Sequence, residues 1–115
     1  MSGWRDEVNA ICATLPGAEV SDPWGGGHDA WKVGGKMFAV QGVHPGLSVK
    51  CADAESAAML IDAGVAERAP YFHRSWVRLP EGTAPAELRH RIAVSYDLIR
   101  AALPKRVRAA LPPRS

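Results

Sequence analysis

A chain of 115 residues with 47% hydrophobic and 23% charged residues has the make-up of one soluble globular domain, large enough for a single modest core. Its apolar runs are only a few residues long, which excludes a membrane-spanning helix, and Met1 to Glu7 lacks the basic start and apolar stretch of a secretory signal, so the expected location is the cytoplasm. The net charge of +2 conceals an asymmetry: residues 1–67 carry 4 Lys/Arg against 9 Asp/Glu, and residues 68–115 carry 10 against 3, a C-terminal excess suited to polyanions.

Trp4, Val8, Ile11, Cys12 and Leu15 recur at helical spacing and predict an amphipathic helix from about Gly3 to Leu15. Asp6 and Glu7 favour the positive end of its dipole, and Pro16-Gly17 stops it. A short extended piece, Glu19-Val20-Ser21, leads into Asp22-Pro23-Trp24-Gly25-Gly26-Gly27-His28, whose glycines predict a loop. Strands are expected at Ala30 to Val33, Lys36 to Gln41 and Leu47 to Cys51. Gly34-Gly35 has the spacing of a two-residue hairpin turn at positive φ, and Gln41 to Gly46 forms a second turn. The two later strands each present a lysine, Lys36 and Lys50.

Asp53 is placed to cap a helix through Ala57, Leu60 and Ile61, with Gly64 at its C′ position. Tyr71 to Leu79 reads as a further strand, closed by Pro80-Glu81-Gly82. Its alternation sets Phe72, Arg74, Trp76 and Arg78 on one side. A long helix follows from about Ala84 to Leu103, with Leu88, Ile92, Ser95, Ile99 and Ala102 on its buried stripe. Pro104 ends it before the basic segment Lys105-Arg106-Val107-Arg108, and Pro112 to Ser115 is expected to fray. Strands grouped between helices, with connections too short for parallel crossovers, predict one α+β domain over residues 1–115. Its antiparallel sheet packs against N-terminal, central and C-terminal helices.

The motifs for phosphate loops fail. A dinucleotide fingerprint from Gly25 needs glycine at 30, where the chain has Ala30. A P-loop ending at Gly35-Lys36 needs glycine at 30 and Ser or Thr at 37, where it has Ala30 and Met37. His28, His44, His73 and His90 show no local ligand spacing, no Gly-x-Ser-x-Gly elbow occurs, and Cys12 and Cys51 read as reduced thiols. The sequence therefore calls for no metal, cofactor or catalytic set. What stands out is the aromatic content of the strands and adjoining loops (Trp24, Trp31, Phe38, Tyr71, Phe72, Trp76). It is interleaved with Lys32, Lys36, Lys50, Arg74 and Arg78, a pattern suited to stacking on bases and neutralising phosphates.

Leu15-Pro16-Gly17-Ala18, Gly35-Lys36-Met37-Phe38-Ala39, Leu47-Ser48-Val49-Lys50, the Tyr71 and Trp76 pair, and Ser95-Tyr96 follow one another in an order that resembles the MmcQ/YjbR family of small bacterial proteins, usually labelled DNA-binding. The likeness runs from about Leu15 to Arg106. It implies a compact α+β domain with a strongly bent antiparallel sheet of the double-wing type. Lys36 and Lys50 match the family's strand lysines, and Trp76 matches its tryptophan. Where many members carry an Asn-Lys-Lys-His-like run before that tryptophan, this chain has Phe72-His73-Arg74-Ser75, a thinner basic stretch.

The expected function is that of a non-catalytic, weak and largely sequence-independent nucleic-acid-binding module, with DNA as the partner. Lys36, Lys50, Arg74 and Arg78 would contact phosphates, Arg106 and Arg108 would assist, and Trp76 would stack or brace the strand. The chain would act as a monomer or weak homodimer. The rival is a small-molecule or peptide site built on Trp24, Trp31 and Trp76. A protein–protein interaction domain comes third and an enzyme last.

Overall fold

A computed structural model describes residues 3–42 and 44–114. Val43 of the expected second turn and Ser115 of the expected frayed tail lie outside the described residues, as do Met1 and Ser2. Among these residues lie four helices and six strands: α1 (Trp4–Ala13), β1 (Glu19–Ser21), β2 (Asp29–Val33), β3 (Lys36–Gln41), β4 (Leu47–Lys50), α2 (Ala54–Asp62), β5 (Glu67–Arg68), β6 (Trp76–Leu79), α3 (Pro85–Ala101) and α4 (Lys105–Ala109). The strands form one antiparallel sheet in the order β1-β2-β3-β4-β6-β5, the α+β architecture the element order predicts.

Local chemistry places most of these elements. Val33 pairs with Lys36 across Gly34 and Gly35, whose φ values of 57° and 82° make the tight hairpin that L side chains resist. The Asp53 carboxylate accepts the Ser56 amide at 2.7 Å and caps α2, and this hydrogen bond holds its carboxyl below the usual range. At the other end the Gly64 amide donates to Ile61 O and the Val65 amide to Leu60 O, each at 3.0 Å, which closes the helix in a Schellman motif.

The expected strand from Tyr71 to Leu79 is shorter than predicted. Only Trp76–Leu79 is strand. Residues before it turn twice, with the Phe72 amide donating to Ala69 O and the Trp76 amide to His73 O. Tyr71 sits at φ 70°, a conformation no strand allows, so the aromatic alternation there belongs to a loop. β5 has no sequence signature, being two exposed charged residues that pair with β6 at the sheet edge.

α1, α2 and α3 cover one face of the sheet. There Val8 and Cys12 of α1 and Leu88, Ile92 and Tyr96 of α3 join Trp31, Phe38, Val49, Val77 and Leu79 in a single core. Burial pushes the Cys12 thiol up to about 12, which leaves it an inert packing group.

Register decides where β3 bends. Trp31 pairs with Ala39 but Lys32 pairs with Met37, so Phe38 is an extra, bulged residue. Phe38 and Ala39 are therefore both buried in the core. The β3–β4 ladder stops at Ala39 and Val49, short of Phe38 and Lys50. Ser95 of α3 fills the split: its hydroxyl donates to Phe38 O at 2.6 Å and accepts from the Lys50 amide at 2.9 Å.

Tyr96 ties the long helix to the rest of the chain. Its hydroxyl donates to Pro16 O at 2.6 Å and accepts from Arg100 Nη1 at 2.7 Å, while its ring meets Phe38 edge-on at 5.4 Å. Arg100 also donates to Pro112 O, and Arg114 pairs with Asp97 at 2.9 Å. Replacing Tyr96 with phenylalanine keeps the ring and removes those two bonds, and should cost about 1–2 kcal/mol in urea unfolding. A loss below about 0.3 kcal/mol would mean that the hydroxyl holds nothing.

Candidate functional site

The face of the sheet opposite the three covering helices carries Val40, Ser48, Lys50, Trp76 and Arg78, in register as Val40↔Ser48, Ser48↔Arg78 and Lys50↔Trp76. Two loops rise over it, the glycine loop that holds Trp24 and His28 and the turn that holds Tyr71 to His73.

Phe72 and Trp76 stack with centroids 4.6 Å apart and planes inclined by 25°. This pair arises because the double turn folds Phe72 back over the first residue of β6. Together with Lys36, Met37 and Leu103 the two rings line an open cavity of about 370 Å³. Next to it, Met37, Phe72, Trp24, His28 and Tyr71 line another of about 550 Å³. A third, of about 350 Å³, takes in His28, His44, Ser48, Tyr71, Phe72 and Arg78. Phe72 borders all three, and the last two, which share His28, Val40, Tyr71 and Phe72, make up the trough between the two loops.

The predicted cations divide into two groups. Lys36, Arg74, Arg106 and Arg108 are exposed and form no ion pair among the described residues. Lys36 opens β3 beside the hairpin. Arg74 occupies the crest of the turn that feeds β6. Arg106 and Arg108 reach the hairpin's end of the molecule because α4 packs on it. A Cβ at Gly34 would lie 2.5 Å from Leu103 Cδ1 and 3.0 Å from Val107 Cγ1, so any side chain there would have to push both aside as well as hold the strained φ of 57°.

Lys50 and Arg78 are already engaged. Lys50 Nζ donates to Ser75 Oγ at 2.8 Å, and Ser75 Oγ lies 2.9 Å from His73 Nδ1, which also accepts the Ser75 amide at 3.1 Å. Ser75 is buried, so this chain of bonds positions Lys50 and the turn rather than exposing a nucleophile. Arg78 pairs with Glu67 at 3.2 Å across the β5–β6 ladder. A half-exposed pair of this kind is worth about 0–1 kcal/mol, so a phosphate can compete for the guanidinium.

The tryptophans do not share one pocket. Trp31 is buried on the helix-covered face, where its indole N–H donates to Asn9 Oδ1 at 2.9 Å. Trp24 is more than half exposed and meets the His28 ring edge-on at 5.0 Å. A site built jointly on Trp24, Trp31 and Trp76 is thus ruled out, because the sheet separates Trp31 from the other two. Sequence spacing did not mark the Lys50–Ser75, Arg78–Glu67 or Ser95–Phe38 bonds, because their partners lie 11 to 57 residues apart.

Among the described residues no helix is long and apolar enough to cross a membrane. The YjbR family model matches residues 13–98. No curated protein matches the chain. The fold is similar to the crystal structure of the Deinococcus radiodurans protein DR2400, described as carrying a DUF419 domain. That likeness has a TM-score of 0.78 and 25% sequence identity, and covers 95% of this chain and 87% of that one. With most of its length under the family model, the chain belongs to the YjbR family.

Proposed function

We propose that the protein is a non-catalytic nucleic-acid-binding module, weak and largely indifferent to sequence. The observation that carries the reading is the Phe72–Trp76 stack in the same cavity as Lys36, at the end of the sheet where Arg74 and the α4 arginines are exposed. Aromatic faces accept any base, and cations without bidentate partners in a fixed frame neutralise phosphates without reading base edges. Phosphate contacts from these four predicted cations, Lys36, Arg74, Arg106 and Arg108, imply a log–log salt slope of about −3 to −4.

Lys36, which lines the cavity of the aromatic pair, and Arg74, which lies between Phe72 and Trp76 in the chain, would be the main phosphate contacts. Lys50, tethered to Ser75, adds field more than direct contact. Alanine at both Lys36 and Arg74 should flatten the salt slope by about 2 and weaken binding without changing the fold. Anisotropy titrations across a salt series measure this. A slope that stays as steep in the double variant removes those two residues from the interface.

A further inference from the structure

Resting on that reading, we infer that the nucleic acid bound is single-stranded, with its bases seated in the trough between the Trp24–His28 loop and the Tyr71–His73 turn. Three observations converge. First, the aromatic surface is recessed: Phe72 forms a wall common to all three cavities, and Met37, Val40 and His28 continue the lining. A duplex hides its base faces in its own stack and offers only edges and phosphates, so it has no use for such walls. A single strand presents a face at every base.

Second, Tyr71 stands at the rim of the trough, fully exposed, on a backbone at φ 70°. The left-handed conformation is unfavourable for a tyrosine, and an exposed ring returns no core burial for it. Such an outlier beside a cavity is a feature whose return comes from a ligand. Third, the charge fits: Arg78 lines one of the cavities that Phe72 borders and Lys36 lines another, so cations lie beside the aromatic walls on two sides of Phe72, as a strand passing over them requires.

The test uses a labelled oligothymidine and a duplex of the same length, titrated by anisotropy at low salt with the whole protein. The single strand should bind at least about ten-fold more tightly than the duplex. Tyr71→Gly relieves the backbone while deleting the ring. It should unfold no more easily than the parent, yet lose single-strand affinity by about 5- to 150-fold, the range of one stacked base, with duplex affinity unchanged. Phe72→Ala should lose a similar factor. Equal or tighter duplex binding, or a Tyr71→Gly protein that keeps its single-strand affinity, overturns the inference while leaving salt-dependent nucleic-acid binding standing. Failure of both probes at low salt overturns the two together.

Discussion

Replacing Ser95 with alanine should lower the unfolding free energy by about 2–4 kcal/mol, a large share of the roughly 5–15 kcal/mol available to a domain of this kind. The hydroxyl serves two backbone groups at once, Phe38 O at 2.6 Å and the Lys50 amide at 2.9 Å. Neither has a ladder partner, because the bulge at Phe38 ends regular β3–β4 pairing at Ala39 and Val49. Ser95 is fully buried, so no solvent can replace it there. Alanine leaves an orphaned carbonyl and an orphaned amide, each costing about 1–3 kcal/mol less whatever relaxation recovers. Urea unfolding with an unchanged m-value measures the loss. A loss under about 0.5 kcal/mol would show that β3 and β4 close on each other without the serine. The same bonds anchor the strands that carry Lys36 and Lys50, so the variant should also bind nucleic acid less well before it unfolds.

Gly46→Ala should cost a comparable amount, about 2–4 kcal/mol, by a different route. Gly46 precedes β4 at φ 110°, where an L side chain is strained whatever the space around it. Here there is no space: a Cβ would sit 2.8 Å from Leu79 O and 2.9 Å from Arg78 Cγ. The first of these is backbone of β6, so β4 and β6 must separate to admit the methyl group. Gly35→Ala supplies the comparison, since φ there is 82° and a Cβ would meet nothing within 4 Å. It should cost only about 1–2 kcal/mol, the conformational part alone. Equal losses in the two variants, by thermal or urea unfolding, would mean that contact with Leu79 O adds nothing.

Elements written in local chemistry were legible from the residues: the stripe of α1, the Gly34-Gly35 hairpin, the Asp53 cap and the Gly64 terminus of α2. Each depends on groups within a few positions of one another. The misreading of Tyr71 to Ser75 as strand has a physical cause. Aromatic residues that alternate with polar ones suit a pleated surface, but here the turn at Ala69–Phe72 and the next at His73–Trp76 override that preference. β5 escaped notice because Glu67 and Arg68 are strand by virtue of their partners Arg78 and Val77, not by composition.

The site divides in the same way. Lys36 and Trp76 were marked by pattern and family resemblance, and the structure brings them to one cavity. That Lys50 is held by Ser75 and Arg78 by Glu67 depends on which strands become neighbours. The trough itself joins loops from opposite ends of the sheet order, and no window of sequence contains both. Ser95 shows the limit most clearly. A lone serine on an apolar helical stripe reads as packing, and its role appears only with the break in the β3–β4 ladder.

The most direct measurement is fluorescence anisotropy of labelled single-stranded and duplex DNA with the purified protein, at low and at near-physiological salt. The expected Kd is about 1–100 µM near physiological salt, tightening steeply as salt falls with a log–log slope of about −3 to −4. No binding of either DNA at low salt would contradict it.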